Sequence, residues 1–149
     1  MAIEACRRGR WNEGLPRLAR LIEEGGRSGT LPALAYSYLG YGIALRQKKV
    51  REGLQLCQHA VKLEFYQAES FLNLARTLQL AGQRRDAVRA VRAGLRLDRD
   101  NPQLLELQDK IGMRRRPVFS FLARSNPLNF LLGKLRHAVR PTRGGDPPG

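Results

Sequence analysis

Long apolar runs are missing from this chain of 149 residues. No stretch approaches the roughly 18–20 consecutive apolar residues that a membrane-crossing helix needs. The opening "MAIEACRRGRW" has no apolar core of a secretory signal. Cysteine is nearly absent. Cys6 and Cys57 are the only two and have no metal-like spacing, so a disulfide framework or a zinc knuckle is excluded and the expected setting is reducing and cytoplasmic. Histidine is as scarce: His59 and His137 lie far apart, and His59 stands two residues after Cys57, a spacing that points helical side chains in different directions. "EEGGRSG" is glycine-rich but lacks the lysine and threonine of a phosphate loop. The carboxylate pairs Glu23-Glu24 and Asp98/Asp100 read as solvated helix ends. No catalytic constellation, metal, cofactor or small-molecule substrate is expected.

Aromatics make up only 7% of the residues, while 42% are hydrophobic, mostly leucine and alanine, which favour helices. That is enough apolar surface for a real core. Negative charge is the other shortage. Thirteen acidic side chains face 27 basic ones, a formal net charge of +14, and arginine dominates the basic set. Residues 1–110 carry 19 basic and 12 acidic side chains, and residues 111–149 carry 8 and 1. The same excess of seven thus falls on two very different lengths, and the tail is about three times as densely charged. Such a segment attracts anionic lipid, nucleic acid or acidic protein without choosing among them.

What is present is a repeat. "GRWNEGL" at Gly9 returns as "KKVREGL" at Lys48 and as "GQRRDAV" at Gly82, 39 and then 34 residues on. In the last copy Phe71, Leu74, Ala75 and Leu78 follow an i, i+3, i+4, i+7 pattern that makes one apolar helical stripe. Gly82 ends that helix. A second helix then buries Ala87, Val88, Val91, Gly94 and Leu95. Asn101-Pro102 supplies an N-cap and an N1 proline for the next. The preceding unit places Tyr36, Leu39, Gly40 and Ile43 on its first helix and Gly53, Leu54, Cys57, Ala60 and Val61 on its second, with a turn around Lys48 that the spacing makes one residue longer. The first unit has Ala2 and Ala5, then Trp11, Gly14, Leu15, Leu18, Leu21 and Ile22. Its leading helix has at most eight residues before Gly9. The small residues Ala2, Gly40, Ala75 and Gly14, Gly53, Ala87 are expected where the two helices of a pair approach closely. "PQLLELQDKIG" is a single helix whose Leu104, Leu105 and Leu107 cap the stack.

This pattern resembles the tetratricopeptide repeat family over about residues 1–112. Its 34-residue step and the Gly82–Ala87 spacing favour that family over other helical-hairpin repeats such as the Sel1-like or pentatricopeptide-like ones. The resemblance implies an all-α, right-handed solenoid of about two and a half stacked hairpins plus the capping helix. It also implies a non-catalytic adaptor or scaffold whose first helices line a concave groove for a segment of another protein. On that basis Ser37, Tyr38, Tyr41 and Ala44 face the groove from one unit. Glu69, Leu72, Asn73, Arg76 and Gln79 face it from the next, with Glu106 and Lys110 from the cap. Tyr38, Tyr41, Asn73, Arg76 and Lys110 are the candidate partner contacts; alternatively the tyrosines only fill gaps between repeats and Arg76 is solvated. Of the carboxylate clamp used by part of the family, only Asn73 sits at a matching place, so that mode is not expected.

Residues 113–140 read as a basic segment with its own helix. Arg114, Arg115 and Arg116 precede Pro117, and "SNP" then opens a helix with Leu128, Leu131, Leu132, Leu135 and Val139 on one face and Lys134, Arg136 and Arg140 largely off it. Such a helix folds back on the stack, docks on a protein, or meets an anionic membrane surface or nucleic acid. A place at the membrane periphery is therefore an alternative to a purely cytoplasmic one. Membership of a larger complex as an accessory subunit is a further alternative. Residues 141–149 have the composition of a disordered tail.

Overall fold

The computed structural model describes residues 1–25 and 31–112. The basic cluster, amphipathic helix and tail expected over residues 113–149 lie outside the described residues. The described residues form seven helices: α1 (Ala2–Arg7), α2 (Trp11–Gly25), α3 (Ala33–Arg46), α4 (Val50–Leu63), α5 (Ala68–Leu80), α6 (Arg84–Leu97) and α7 (Pro102–Lys110). Helices α1/α2, α3/α4 and α5/α6 are hairpins. Helix α7 packs on α6 and α5 at the end of the series. The first helix of the first hairpin is as short as the position of Gly9 requires, with six residues.

Each hairpin turns through three residues, Arg8–Arg10, Gln47–Lys49 and Ala81–Gln83, and the middle one has a left-handed backbone every time. The φ values are 74° at Gly9, 61° at Lys48 and 73° at Gly82. Glycine adopts that region freely and lysine does not. The turn at Lys48 is therefore no longer than the others, contrary to the spacing argument. The additional residue lies in the first helix instead: α3 has 14 residues and α5 has 13. A left-handed residue in the middle of the connection gives each turn the same three-residue form, and the helix takes up the difference.

Close approach within a hairpin depends on small residues. A Cβ on Gly40 would lie 2.6 Å from the Gly53 carbonyl oxygen, and one on Gly53 would strike the Gly40 carbonyl in return. In the first hairpin, a Cβ on Gly14 would stand 3.0 Å from the Ala2 carbonyl and run into Cys6 Sγ. These contacts fall at the sites expected from the repeat pattern.

The apolar residues form two clusters. One gathers Cys6, Leu15, Leu18, Ala35, Tyr38, Leu39 and Ile43 from α1, α2 and α3. The other gathers Leu72, Ala75, Leu78, Ala87, Ala90 and Val91 with Leu104, Leu107 and Ile111. Leu104 and Leu107 thus cap the stack as expected, but Leu105 is turned outward and exposed. A buried polar seam runs through the α3–α5 contact. Asn73 Nδ2 donates to Ser37 Oγ at 3.1 Å, and Thr77 Oγ1 donates to the Asn73 carbonyl at 2.8 Å. Cys57 Sγ donates to the Ser37 carbonyl at 3.5 Å. Burial pushes the Cys57 thiol up to about 12, which leaves it a small, unreactive core residue.

Candidate functional site

The first helices of the hairpins and the capping helix together line a cleft of about 340 Å³. Arg7 enters it from α1, Tyr38, Tyr41 and Leu45 from α3, Arg76 and Gln79 from α5, and Gln103, Leu107 and Lys110 from α7; Trp11, at the start of α2, completes one wall. The positions follow from helical periodicity. Tyr38, Tyr41 and Leu45 are spaced three and four residues apart, so they share one face of α3, as Arg76 and Gln79 share one face of α5.

Four of the five candidate residues, Tyr38, Tyr41, Arg76 and Lys110, are therefore brought together, Tyr38 as a buried part of the wall with its hydroxyl turned to Glu69. Asn73 is not: contrary to the expectation, it lies outside the groove. It is fully buried, with its amide turned to Ser37. Ser37, Ala44 and Leu72 are likewise buried. For Ser37 and Asn73 the reason is the direct packing of α3 on α5; Ala44 lies against Gly53 of α4, and Leu72 joins the cluster that α5 forms with α6 and α7. Part of the side of each first helix assigned to the groove instead faces the neighbouring first helix. Gln79 is exposed and lines the cleft. Glu106 is exposed and joined to Lys110 at 2.6 Å.

The floor is aromatic. The Trp11 and Tyr41 rings meet edge to face with centroids 5.4 Å apart, and Trp11 and Tyr38 lie 6.4 Å apart. The Arg76 guanidinium stands over the Tyr41 ring, 5.5 Å from its centroid, within reach of a cation–π attraction. Among the described residues Arg76 makes no ion pair.

Beside this floor lies a three-residue network that the sequence pattern did not reveal. Arg7 Nε and Nη2 grip the two carboxylate oxygens of Glu69 at 2.7 and 2.6 Å, and the Tyr38 hydroxyl donates to Glu69 Oε1. The partners stand 62 and 31 residues away from Glu69, beyond the reach of any local spacing rule. Burial alone would raise the Glu69 carboxyl, but the hydrogen bonds from Arg7 and Tyr38, aided by the charges of Arg7 and Arg76, outweigh it and hold the group below the usual carboxylate range. Burial, together with the bond to Glu69, pushes the Tyr38 phenol well above its ordinary value. The hydrogen bond to Glu69 raises the Arg7 guanidinium further. The Glu106 carboxyl is lowered by its bond to Lys110. The cleft thus holds three cations, two of them paired internally, and Arg76 is the one left over its aromatic floor.

Among the described residues, no group of three or more His, Cys, Asp or Glu side chains could hold a metal ion, and no helix is long and apolar enough to cross a membrane.

No family model and no curated protein sequence matches this chain. Solved structures do. The second tetratricopeptide repeat domain of human RPAP3, determined in complex with the HSP70 peptide SGPTIEEVD, is 19% identical and superposes with a TM-score of 0.58, over 74% of this chain and 88% of that domain. The tetratricopeptide repeat domain of Arabidopsis OM64 is 15% identical with a TM-score of 0.61, over 75% of this chain and 88% of that one. At these identities the likeness carries architecture alone, and it agrees with the stacked helical hairpins seen here. The chain has the fold of a tetratricopeptide repeat domain, an all-helical solenoid of stacked hairpins.

Proposed function

We propose that this chain is a non-catalytic protein-interaction module, an adaptor or scaffold that holds a segment of a partner protein in the cleft lined by α1, α3, α5 and α7. The observation that carries the reading is the juxtaposition of Trp11 and Tyr41, backed by the buried Tyr38, with an arginine that has no ion pair among the described residues. Aromatic rings offer large contact area at low conformational cost, and arginine adds directional hydrogen bonds; the two types dominate the energetic centres of protein interfaces. Lys110 and Gln79 at the rim supply further polar contacts. The peptide complex of the RPAP3 domain supports the idea that this fold takes a peptide segment. Here the contact set is built on Tyr41 and Arg76, with Asn73 withdrawn into the core.

The test is an affinity capture with the full chain, followed by mapping of the bound segment with overlapping peptides. Tyr41→Ala and Arg76→Gln are each expected to weaken the mapped peptide by about 30-fold, since central interface residues contribute on the order of 2 kcal/mol. A captured partner that binds both variants as well as the parent chain would place its site elsewhere. Turnover of a substrate by the purified chain without any bound partner would end the reading altogether.

A further inference from the structure

Helix α6 carries a straight row of arginines that the cleft does not use. Arg85, Arg89, Arg92 and Arg96 follow one another at four, three and four residues, the spacing that keeps side chains on one helical face. All four are exposed, while Ala87, Ala90, Val91 and Gly94 on the opposite face are buried. Arg89 pairs with Asp86 at 3.1 Å, and both side chains stay largely in solvent. Among the described residues Arg85, Arg92 and Arg96 make no ion pair. Arg84 is not part of the row: its guanidinium is turned to the carbonyls of Ile111 and Gly112. Asp98, just beyond the helix, is engaged by Asn101. One repeat step of 34 residues earlier, the places of Arg85 and Arg96 are held on α4 by Arg51 and Lys62, both exposed.

We propose that this face of α6 is a binding surface for the phosphodiester backbone of nucleic acid, used without reading base sequence. Three observations select this occupant. At about 1.5 Å per residue the row is roughly 16 Å long, enough to run beside about five phosphates of one strand spaced 3.4 Å along the axis. Arginine forks engage phosphate oxygens in pairs, which lysine cannot do. A helix that lies on lipid needs an apolar face to insert, and here that face is already buried under α5 and α7. An acidic helix would meet the row through exposed ion pairs, which bring little net free energy and are screened by salt. A polyphosphate releases its condensed counterions and gains far more from the same four charges. The exposed face of α6 offers no amide, aromatic or carboxylate pair arranged to read a base edge, so the binding is to backbone and not to sequence.

The experiment uses the full chain, because its basic tail also attracts polyanions. Binding of a fluorescein-labelled mixed-sequence DNA duplex and of a single-stranded RNA is followed by anisotropy across a salt series. In the triple variant Arg85→Gln, Arg92→Gln, Arg96→Gln, the slope of log K against log salt is expected to fall by about three, close to one per neutralised phosphate contact. Glutamine is nearly as good a helix former, and an unchanged circular dichroism melt verifies the fold. The triple arginine-to-lysine variant should retain the slope. Tyr41→Ala should leave it untouched, which separates this surface from the cleft. An equal slope and affinity in the triple glutamine variant would assign all polyanion binding to the tail and overturn the proposal. So would capture of phosphatidylserine vesicles or an acidic helical peptide, in place of nucleic acid, that is lost in that variant.

Discussion

Lys48 occupies a backbone position that its neighbours in the repeat give to glycine. Its φ of 61° matches the 74° of Gly9 and the 73° of Gly82, and a side chain in that region costs about 1–2 kcal/mol. Replacing Lys48 by glycine removes that strain but frees the unfolded chain, so a net gain of about 0.5–1 kcal/mol is expected, measured as a higher denaturant midpoint. The opposite sign holds at Gly53, for a different reason. A methyl there strikes the Gly40 carbonyl, which is backbone and cannot rotate away. Gly53→Ala should therefore force α3 and α4 apart and cost about 1–3 kcal/mol, read in the same unfolding experiment. The close approach at Gly53 was placed from the repeat pattern, whereas the left-handed place of Lys48 was not, since the spacing argument put an additional residue in its turn. What alignment could not tell is which role a small residue plays. Gly82 has open space around its missing Cβ, whereas Gly53 has none.

At the scale of elements, α7 shows how a single helix closes a repeat stack. Asn101 Oδ1 accepts the Leu104 backbone N–H at 3.1 Å, and Pro102 fills the first turn. At the other end Arg84 reaches from α6 to the Ile111 carbonyl, at 3.1 Å through Nε and 2.8 Å through Nη2. That grip satisfies a carbonyl left over at a helix C-terminus. Between the two, Leu104 fits against Gly94. Asn101→Ala should cost about 1 kcal/mol as a lost cap, and Leu104→Ala about 2–5 kcal/mol as a cavity. Chemical denaturation should rank them in that order; equal losses would mean that α7 is held by its ends instead of its apolar face. The cap was legible because Asn-Pro is a local signal. The outward turn of Leu105 and the grip of Arg84 were not, since each depends on how α7 lies against α6.

Across the whole molecule, the Arg7–Glu69–Tyr38 network ties α1 to α5 and α3 beside the cleft. The folded-state pKa of Glu69 is lowered from its ordinary glutamate value by the bonds from Arg7 and Tyr38, which outweigh burial. Its contribution to stability is thus fully present at neutral pH and disappears as the pH falls through the acid range and the carboxyl is protonated. Both partners remain partly exposed, at 44% for Arg7 and 25% for Glu69, so the gain is discounted to about 1 kcal/mol. Glu69→Gln should lower the melting temperature at pH 7 and bring the two curves together as the pH falls from the ordinary glutamate range through the lowered folded-state pKa. Melting curves that stay parallel until the acid transition of both proteins would show that Glu69 is not the titrating group.

The sequence by itself determined the helical hairpin, the phase of the repeat, the short first helix and the cap at Asn101. These depend on residues within a few turns of one another, where periodicity, glycine and proline act directly through backbone geometry. Tyr38, Tyr41, Arg76 and Lys110 came from the resemblance of that repeat to a known family, which says which side of each first helix lines a groove. Only the tertiary structure decided that Asn73 is withdrawn while Arg7 and Trp11 enter the cleft. The packing of α3 on α5 buries the side of each first helix that lies between them, and the packing of α1 on α3 lets Arg7 reach a carboxylate 62 residues away. Those outcomes follow from how helices of fixed periodicity are angled against each other, a quantity set by all the side chains at their contacts and written in no single segment.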